Sequence, residues 1–215
     1  MKSFIPVVWN SRQAENEVAR LRTLLTSQSD LSESGDVLPL IRAAPQLALC
    51  IGECYAGYQE CDRISFEFDL FGDFACDLVV GSERRRSYVF VEFEGAEANS
   101  IFRRQAQKAT RECAPPFARG FFQILDWFTK LASLEKTDDF ENRFGARVIE
   151  YTGVLVIGRD AFLDASERRR FEWWRTHCVV NSRHLRCITF DELLADVTAL
   201  LTRRERPAPR RGRKP

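Results

Sequence analysis

Histidine is scarce in this 215-residue sequence, which contains two, His177 and His184. Sites built on several imidazole ligands, and most Ser-His or Cys-His triads, therefore have little material from which to form. The seven cysteines are odd in number and scattered, without a Cys-x-x-Cys pair, which argues against a zinc ribbon or a disulfide framework. Any enzymatic chemistry in this chain is expected to depend on carboxylates.

Long apolar runs are also missing. No stretch approaches the roughly 20 residues that a membrane-spanning helix needs, and the start, MKSFIPVVWNS, has too short an apolar stretch for a secretory signal. We therefore expect a cytoplasmic protein without membrane contact. With 45% hydrophobic residues in 215, the chain can bury one substantial core, or one core with an appended helical region.

The formal net charge of +1 hides an uneven distribution. Residues 203–215, RRERPAPRRGRKP, hold seven basic residues and one acidic residue, so the rest of the chain is net acidic. The Pro and Gly content disfavours a packed element. We predict a disordered basic tail over 203–215 that binds phosphate backbones without reading sequence, although a tail that only improves solubility has the same composition.

Helical periodicity dominates the start of the chain. Over 11–26, apolar residues recur at helical spacing among charged residues, which predicts an amphipathic helix. We predict an N-terminal helical region over 1–58, followed by one α/β domain over 59–202. Further helices are predicted over 37–44, 46–58, 97–112, 118–131, 166–174 and 191–201.

The pattern changes at residue 64, where ISFEFDL alternates apolar and polar residues as a strand with one buried face does. Strands over 64–70, 74–80 and 88–94 are joined by short loops, which predicts an antiparallel meander. The almost entirely apolar run TGVLVI over 152–157 is typical of a strand in the middle of a sheet covered on both faces. A last strand is predicted over 185–189.

Two acidic residues lie on the second and third of these strands. In a hairpin turning at 81–87, Asp77 and Glu92 are at matching positions and become cross-strand neighbours, about 5 Å apart at Cβ. Two carboxylates this close repel each other unless a cation lies between them. The spacing therefore indicates a divalent-metal site.

Glu94 follows two residues after Glu92, so strand alternation places both on one face, together with Tyr88 and Phe90. Three carboxylates on one face suit Mg²⁺ or Mn²⁺, ions that assist phosphodiester cleavage by lowering the pKa of bound water. Acidic residues are also common on exposed sheet faces. Spacing alone leaves a solvated sheet face as the alternative.

Five segments together are similar to a known family: EFDLFGDFACDLVVG, YVFVEFEGAEANSIF, ARGFFQILDWF, GVLVIGRD and ITFDELL. Their order and intervals resemble the nuclease domain of the Shedu anti-phage defence proteins, a branch of the PD-(D/E)XK superfamily, over about residues 20–200. The resemblance implies an α/β, restriction-endonuclease-like fold, in which a mixed central sheet is flanked by helices.

The resemblance also implies roles for individual residues. Asp77 matches the metal-binding aspartate, Glu92 the glutamate of the E-x-K element, and Gln123 the glutamine on the following helix. The backbone carbonyl of Phe93 would share the metal with Asp77 and Glu92. Glu53, on the helix before the first strand, would be an additional acidic ligand.

The sequence departs from the family at Glu94, where lysine usually stabilises developing negative charge. An anionic side chain cannot supply that positive charge, although a glutamate can act as a general base or bind a second metal. Lys108 is a candidate substitute for the lysine. Loss of cleavage with retained DNA binding is the other outcome that this change predicts.

The leading hypothesis is a Mg²⁺-dependent endonuclease, with Mn²⁺ as a possible replacement ion, that hydrolyses double-stranded DNA in bacterial defence against phage. The resemblance further suggests a homo-oligomer, either a dimer or a tetramer. Two alternatives are a catalytically inactive nuclease-fold module that binds DNA or a partner, and an oligomeric sensor whose assembly is the output.

Overall fold

The computed structural model describes residues 4–57, 60–105, 108, 110–180 and 183–205. The strands in these ranges are β1 (Ile5–Pro6), β2 (Arg63–Leu70), β3 (Phe74–Ser82), β4 (Ser87–Phe93), β5 (Phe102–Arg103), β6 (Glu112–Cys113), β7 (Glu150–Val156), β8 (Val179–Val180) and β9 (Arg183–Ile188). The helices are α1 (Ser11–Ser27), α2 (Leu38–Arg42), α3 (Pro45–Ala56), α4 (Pro115–Leu134), α5 (Asp138–Phe144), α6 (Ala165–His177) and α7 (Phe190–Glu205). A π-helical turn, Glu33–Val37, precedes α2, and a 3₁₀ turn, Asp160–Phe162, precedes α6.

The central sheet is mixed and has the strand order β1-β2-β3-β4-β7-β9-β8. Strands β2, β3 and β4 form the predicted antiparallel meander. Strands β4, β7 and β9 are parallel to one another, because helical connections return the chain to the same edge each time. The predicted mixed α/β sheet flanked by helices is thus confirmed.

Helices cover the sheet on both faces. Helices α1, α3 and α7 pack on one face, where Val89, Val91 and Phe93 of β4 join their core. Helices α4, α5 and α6 pack on the other, where Tyr88 and Phe90 join a second core. Strand β7 contributes to both cores, so its apolar run is that of a covered central strand, as predicted.

The alternation in β2 does not define one buried face, and that prediction was wrong. Phe66 packs with the α3-side core, whereas Phe68 packs with the α4-side core. Between them, Glu67 has a φ of 46°, a left-handed conformation that turns the following side chains to the other face. The same change occurs across the ladder in β3, where Cys76 and Leu78 pack into different cores with Asp77 between them.

The segment predicted as a helix over 97–112 instead contains the two-stranded β5–β6 ribbon. Arg111 stabilises this arrangement, because its guanidinium donates to the carbonyls of Ala98, at 2.7 Å, and Phe102, at 2.6 Å. In a helix, these carbonyls would accept from amides of their own segment. The Arg111 side chain therefore takes the place of the backbone amides that would bind these carbonyls in the predicted helix.

The N-terminal helices share one hydrophobic core with the sheet and α7. The division of the chain at residue 58 stays a prediction. Helix α7 extends to Glu205, three residues into the segment predicted as a tail. The remaining tail residues, 206–215, lie outside the described residues.

No single helix in the described ranges is both long and apolar enough to cross a membrane. The bent pair formed by Glu33–Arg42 and Pro45–Ala56 meets these criteria together, by length and composition only. Most residues of α3 are buried in the protein core.

A close approach between α3 and β3 makes Gly52 sensitive to substitution. A Cβ at this position would lie 2.3 Å from Cγ1 of Val80, which is inside van der Waals contact. We expect Gly52→Ala to lower the free energy of unfolding by about 1–3 kcal/mol, because α3 must move away from the sheet. Urea unfolding measures this, with Gly57→Ala as the comparison for loss of a left-handed glycine at a position without neighbours. An unchanged midpoint in Gly52→Ala would contradict the packing.

Candidate metal and phosphate site

Asp77 lies on β3 at the point where that strand changes cores. The β3–β4 ladder ends at the pair Leu78 and Val91, so Asp77 and Glu92 occupy the next position of each strand beyond it. This is the register predicted from the hairpin. The Asp77 carboxylate also accepts a hydrogen bond of 2.8 Å from the backbone amide of Phe93, which fixes it against the end of β4.

Burial raises the pKa of Asp77 to about 6, and the Phe93 amide offsets part of this rise because it stabilises the charged form. The nearby charge of Glu33 raises the pKa further. Asp77 is therefore ionised above roughly neutral pH and takes up a proton in mild acid.

Glu92 is the most strongly perturbed carboxyl of the site. Its side chain is nearly enclosed, at 6% exposure, and its Oε2 has no hydrogen-bond partner among the described residues. Burial raises its pKa to about 10, and the charges of Asp77 and Glu94 add to the rise. A buried carboxyl with an unsatisfied oxygen is costly unless a proton or a cation compensates it.

Glu94 lies on the same face of the chain as Glu92, but it is paired with a cation. Arg119 of α4 donates from Nε to Oε1 at 3.0 Å and from Nη2 to Oε2. Burial raises the pKa of Glu94 to about 7, and these bonds oppose the rise. Gly120 leaves room for the contact, because a Cβ there would come within 3.2 Å of Glu94 Cγ.

Sequence reasoning missed two residues at this site, Arg119 and Glu33. Arg119 precedes Gln123 by four positions and so shares its helical face, a signal that could have identified it. Glu33 comes from the π-helical turn before α2, and Arg119 Nη2 lies 3.5 Å from its Oε2. No sequence pattern predicts that this turn reaches the end of β4.

Gln123 lies beside the site on α4. Its Nε2 donates to the carbonyl of Ala75 at 3.5 Å, two residues before Asp77. The contact links α4 to β3 on the side of the carboxylates. The structure thus places Gln123 on α4 next to β3, and its role in the site stays a prediction.

The structure does not bring Glu53 to the carboxylates. Glu53 lies on α3, on the opposite face of the sheet, and its side chain is 1% exposed. Arg204 of α7 binds it bidentately, with Nε donating to Oε2 at 3.0 Å. The expected additional ligand is instead part of a buried ion pair. Glu33 is the acidic residue that the N-terminal helical region places near the site.

Lys108 is paired with Glu112 next to the β5–β6 ribbon. The cation beside Glu94 is Arg119, not Lys108. The predicted substitute for the family's lysine is therefore not the residue that the fold brings to this position.

The residues present fit a magnesium ion. Within the described ranges, no three His, Cys, Asp or Glu side chains are grouped closely enough to hold a metal by themselves. Mg²⁺, however, is commonly bound through one or two carboxylates, with water and substrate phosphate completing its shell. Asp77 and Glu92, on adjacent strands and with an unsatisfied oxygen on Glu92, match that requirement.

The family model described as Shedu protein SduA, C-terminal, matches residues 15–194. The matched range includes both the N-terminal helices and the sheet. No curated protein matches the chain.

Proposed function

The chain belongs to the Shedu family, and from that membership and the paired carboxylates we propose that it is a metal-dependent DNA endonuclease acting in defence against phage. The observation that carries the proposal is the buried Oε2 of Glu92, which has no hydrogen-bond partner among the described residues and belongs to a carboxyl that feels the charge of Asp77. A buried acidic pair of this kind destabilises the folded protein by itself and favours the binding of a cation.

In this proposal, the sheet is the core of a restriction-endonuclease-like fold. The order of its elements supports this: an antiparallel meander carries the acidic pair, and two parallel strands extend the sheet behind it. Helix α4 follows the acidic strand and covers its face.

Asp77, Glu92 and the backbone carbonyl of Phe93 would hold Mg²⁺, with Mn²⁺ able to replace it. When bound, such an ion lowers the pKa of a coordinated water and neutralises charge on a phosphate oxygen. The Phe93 amide holds the Asp77 carboxylate in place, and Gln123 of α4 donates to the backbone of β3. Because burial keeps Glu92 protonated without a cation, its proton must leave when the ion binds.

Double-stranded DNA is the proposed substrate. Arg103 and Arg104 are exposed where the β5–β6 ribbon begins, shortly after β4, and are available to phosphates. The basic tail would add affinity without reading sequence. We further propose a homo-oligomer, dimer or tetramer, which size-exclusion chromatography with light scattering tests directly.

A cleavage assay tests the enzyme proposal. Linear, circular and phage DNA are incubated with the protein in Mg²⁺ or Mn²⁺, and the Asp77→Asn variant is compared with wild type. We expect Asp77→Asn to lower cleavage by at least about 100-fold, because it removes the ligand that is ionised near neutral pH. Asp139→Asn, an exposed acid on α5, is the matched control and should cleave normally.

A second candidate is a nuclease-fold module that binds DNA without cutting it. The observation that favours it is Glu94, an acid where the family usually has lysine. Under this reading, wild-type protein cuts none of the DNAs with either ion, and Asp77→Asn binds DNA as tightly as the parent. That pair of results would reject the enzyme proposal.

A further inference from the structure

Arg119 places a positive charge next to Glu94, just after the end of β4. The two members of the Arg119–Glu94 pair differ sharply in exposure: the Glu94 side chain is 2% exposed and the Arg119 side chain 61%. The carboxylate is thus shut inside the protein, while its partner extends into solvent at the surface. A ligand approaching the site meets the guanidinium before it meets Glu94.

The geometry of the pair leaves donors for a ligand. Nε and Nη2 of Arg119 are used by Glu94, and Nη1 has no hydrogen-bond partner among the described residues. Guanidinium groups present several donors in a fixed planar fork, which matches phosphate oxygens well. Glu94 binds the Arg119 guanidinium along one edge, and the N–H groups of Nη1 on the other side can donate to a ligand.

Neighbouring residues fix the orientation of the Arg119–Glu94 pair. Gly120 lets Glu94 lie directly against α4, since a Cβ would come within 3.3 Å of its Oε1. Glu33 approaches Arg119 Nη2 at 3.5 Å from the N-terminal side. Two acids on separate elements thus restrain one long side chain beside the Asp77–Glu92 pair.

We propose that Arg119 is a catalytic residue that binds a non-bridging oxygen of the scissile phosphate, and that Glu94 is the positioning residue that holds it there. This inference rests on the proposed nuclease function. A water oxygen forms the new P–O bond and gives up one proton to solvent, the bond from phosphorus to the leaving oxygen breaks, and that oxygen takes up a proton from solvent. Arg119 neither gains nor loses a proton, and it stabilises charge that develops on the phosphate.

A rescue experiment tests the assignment, using wild type, Arg119→Ala, Glu94→Lys and the double variant Glu94→Lys/Arg119→Ala. We expect Arg119→Ala to cut DNA about 100- to 1,000-fold more slowly, as loss of one charge-stabilising donor does. The double variant restores a cation on the strand, and its cleavage should return to within about tenfold of wild type. Magnesium affinity, measured by calorimetry without DNA, should be retained in Arg119→Ala.

Arg147→Ala is the matched control. Arg147 is similarly exposed, at 52%, and also binds two acids, Asp138 and Glu141, but it precedes β7 at the far end of that strand from the site. Its loss should leave cleavage unchanged. Thermal melts of every variant show whether a loss of activity reflects unfolding.

DNA affinity separates failure of this inference from failure of the enzyme proposal. With Ca²⁺ in place of Mg²⁺, fluorescence anisotropy of labelled duplex DNA is measured across a salt series. Loss of one phosphate contact should weaken binding and reduce the slope of log K against log salt by about 1 in Arg119→Ala, but not in Arg147→Ala.

One outcome is that wild type cuts no DNA and still binds it more tightly, and with a steeper salt slope, than Arg119→Ala. That result would reject the nuclease proposal and support the phosphate contact. If Arg119→Ala matches wild type in folded-state DNA affinity and salt slope, the phosphate contact is overturned. A folded double variant as inactive as Arg119→Ala, beside an active wild type, overturns the catalytic role.

Discussion

Glu92→Gln is expected to make the metal-free protein more stable while it abolishes metal-supported cleavage. The pKa of Glu92 is raised from about 4.5 to about 10, first by burial and then by Asp77 and Glu94. At neutral pH the folded state therefore holds a proton that the unfolded state releases. This uptake of a proton on folding lowers the stability of wild type at neutral pH. A glutamine takes up no proton, so Glu92→Gln does not lose this stability.

The sign of the pH dependence follows from these two values. Below about pH 4.5 both states are protonated, and Glu92 makes no difference to stability. As the pH rises from there toward about 10, wild type loses stability relative to Glu92→Gln. At pH 7 we expect the variant to be more stable on the order of 2 kcal/mol.

Urea unfolding in EDTA at pH 5 and pH 8 measures the effect, with Glu15→Gln on the exposed side of α1 as control. The advantage of Glu92→Gln should grow between the two pH values. Added Mg²⁺ should stabilise wild type and not the variant, since ligand binding to the folded state raises stability. Equal gains for the two proteins in Mg²⁺ would reject Glu92 as a ligand.

Arg204→Ala is expected to lower the free energy of unfolding by about 3–5 kcal/mol, because it leaves a buried carboxylate without its partner. Glu53 is almost completely enclosed, and Arg204 satisfies both of its oxygens. The guanidinium also lies 3.9 Å from the centre of the Trp9 ring. One residue near the end of α7 therefore joins α3 and the N-terminal segment.

Chemical denaturation of two truncated chains tests the same pair. A chain ending at residue 202 lacks Arg204, and a chain ending at residue 205 keeps it. We expect the first to be destabilised as Arg204→Ala is, and the second to resemble the full chain. Arg203→Ala, an exposed neighbour, should change stability by less than about 0.5 kcal/mol.

Replacing both partners shows whether the cost comes from the unpaired charge. The apolar double variant Glu53→Leu/Arg204→Met should recover most of the stability that Arg204→Ala loses. A double variant as unstable as the single one would locate the effect in helix packing instead.

The meander was predictable because its signals are local. Strand period 2 and a short polar loop determine which residues face one another, so the Asp77–Glu92 register followed from residue positions alone. The central strand β7 was likewise identifiable from its almost entirely apolar run. Element ends differ by a few residues, because helix and strand termini depend on capping contacts such as the one that the Asn10 side chain makes with the backbone amide of Gln13.

The rest of the site depends on tertiary contacts that no local pattern contains. Glu53 and Glu33 both lie in the N-terminal helical region, and only packing decides which faces the carboxylates. Arg119 is visible in the sequence as a helical neighbour of Gln123, but its pairing with Glu94 requires the approach that Gly120 permits. The left-handed backbone of Glu67 likewise changes which face of β2 carries the buried side chains. No glycine stands at this position to indicate that conformation in the sequence.

Glu33 brings a negative charge from the N-terminal helical region to the site. Because Arg119 lies between Glu33 and Glu94, the turn Glu33–Val37 determines how the guanidinium's charge is shared between two acids. Displacing that turn would free Arg119 from one of its two restraints. The position of this turn would thus determine the balance of charge beside Arg119 and Asp77.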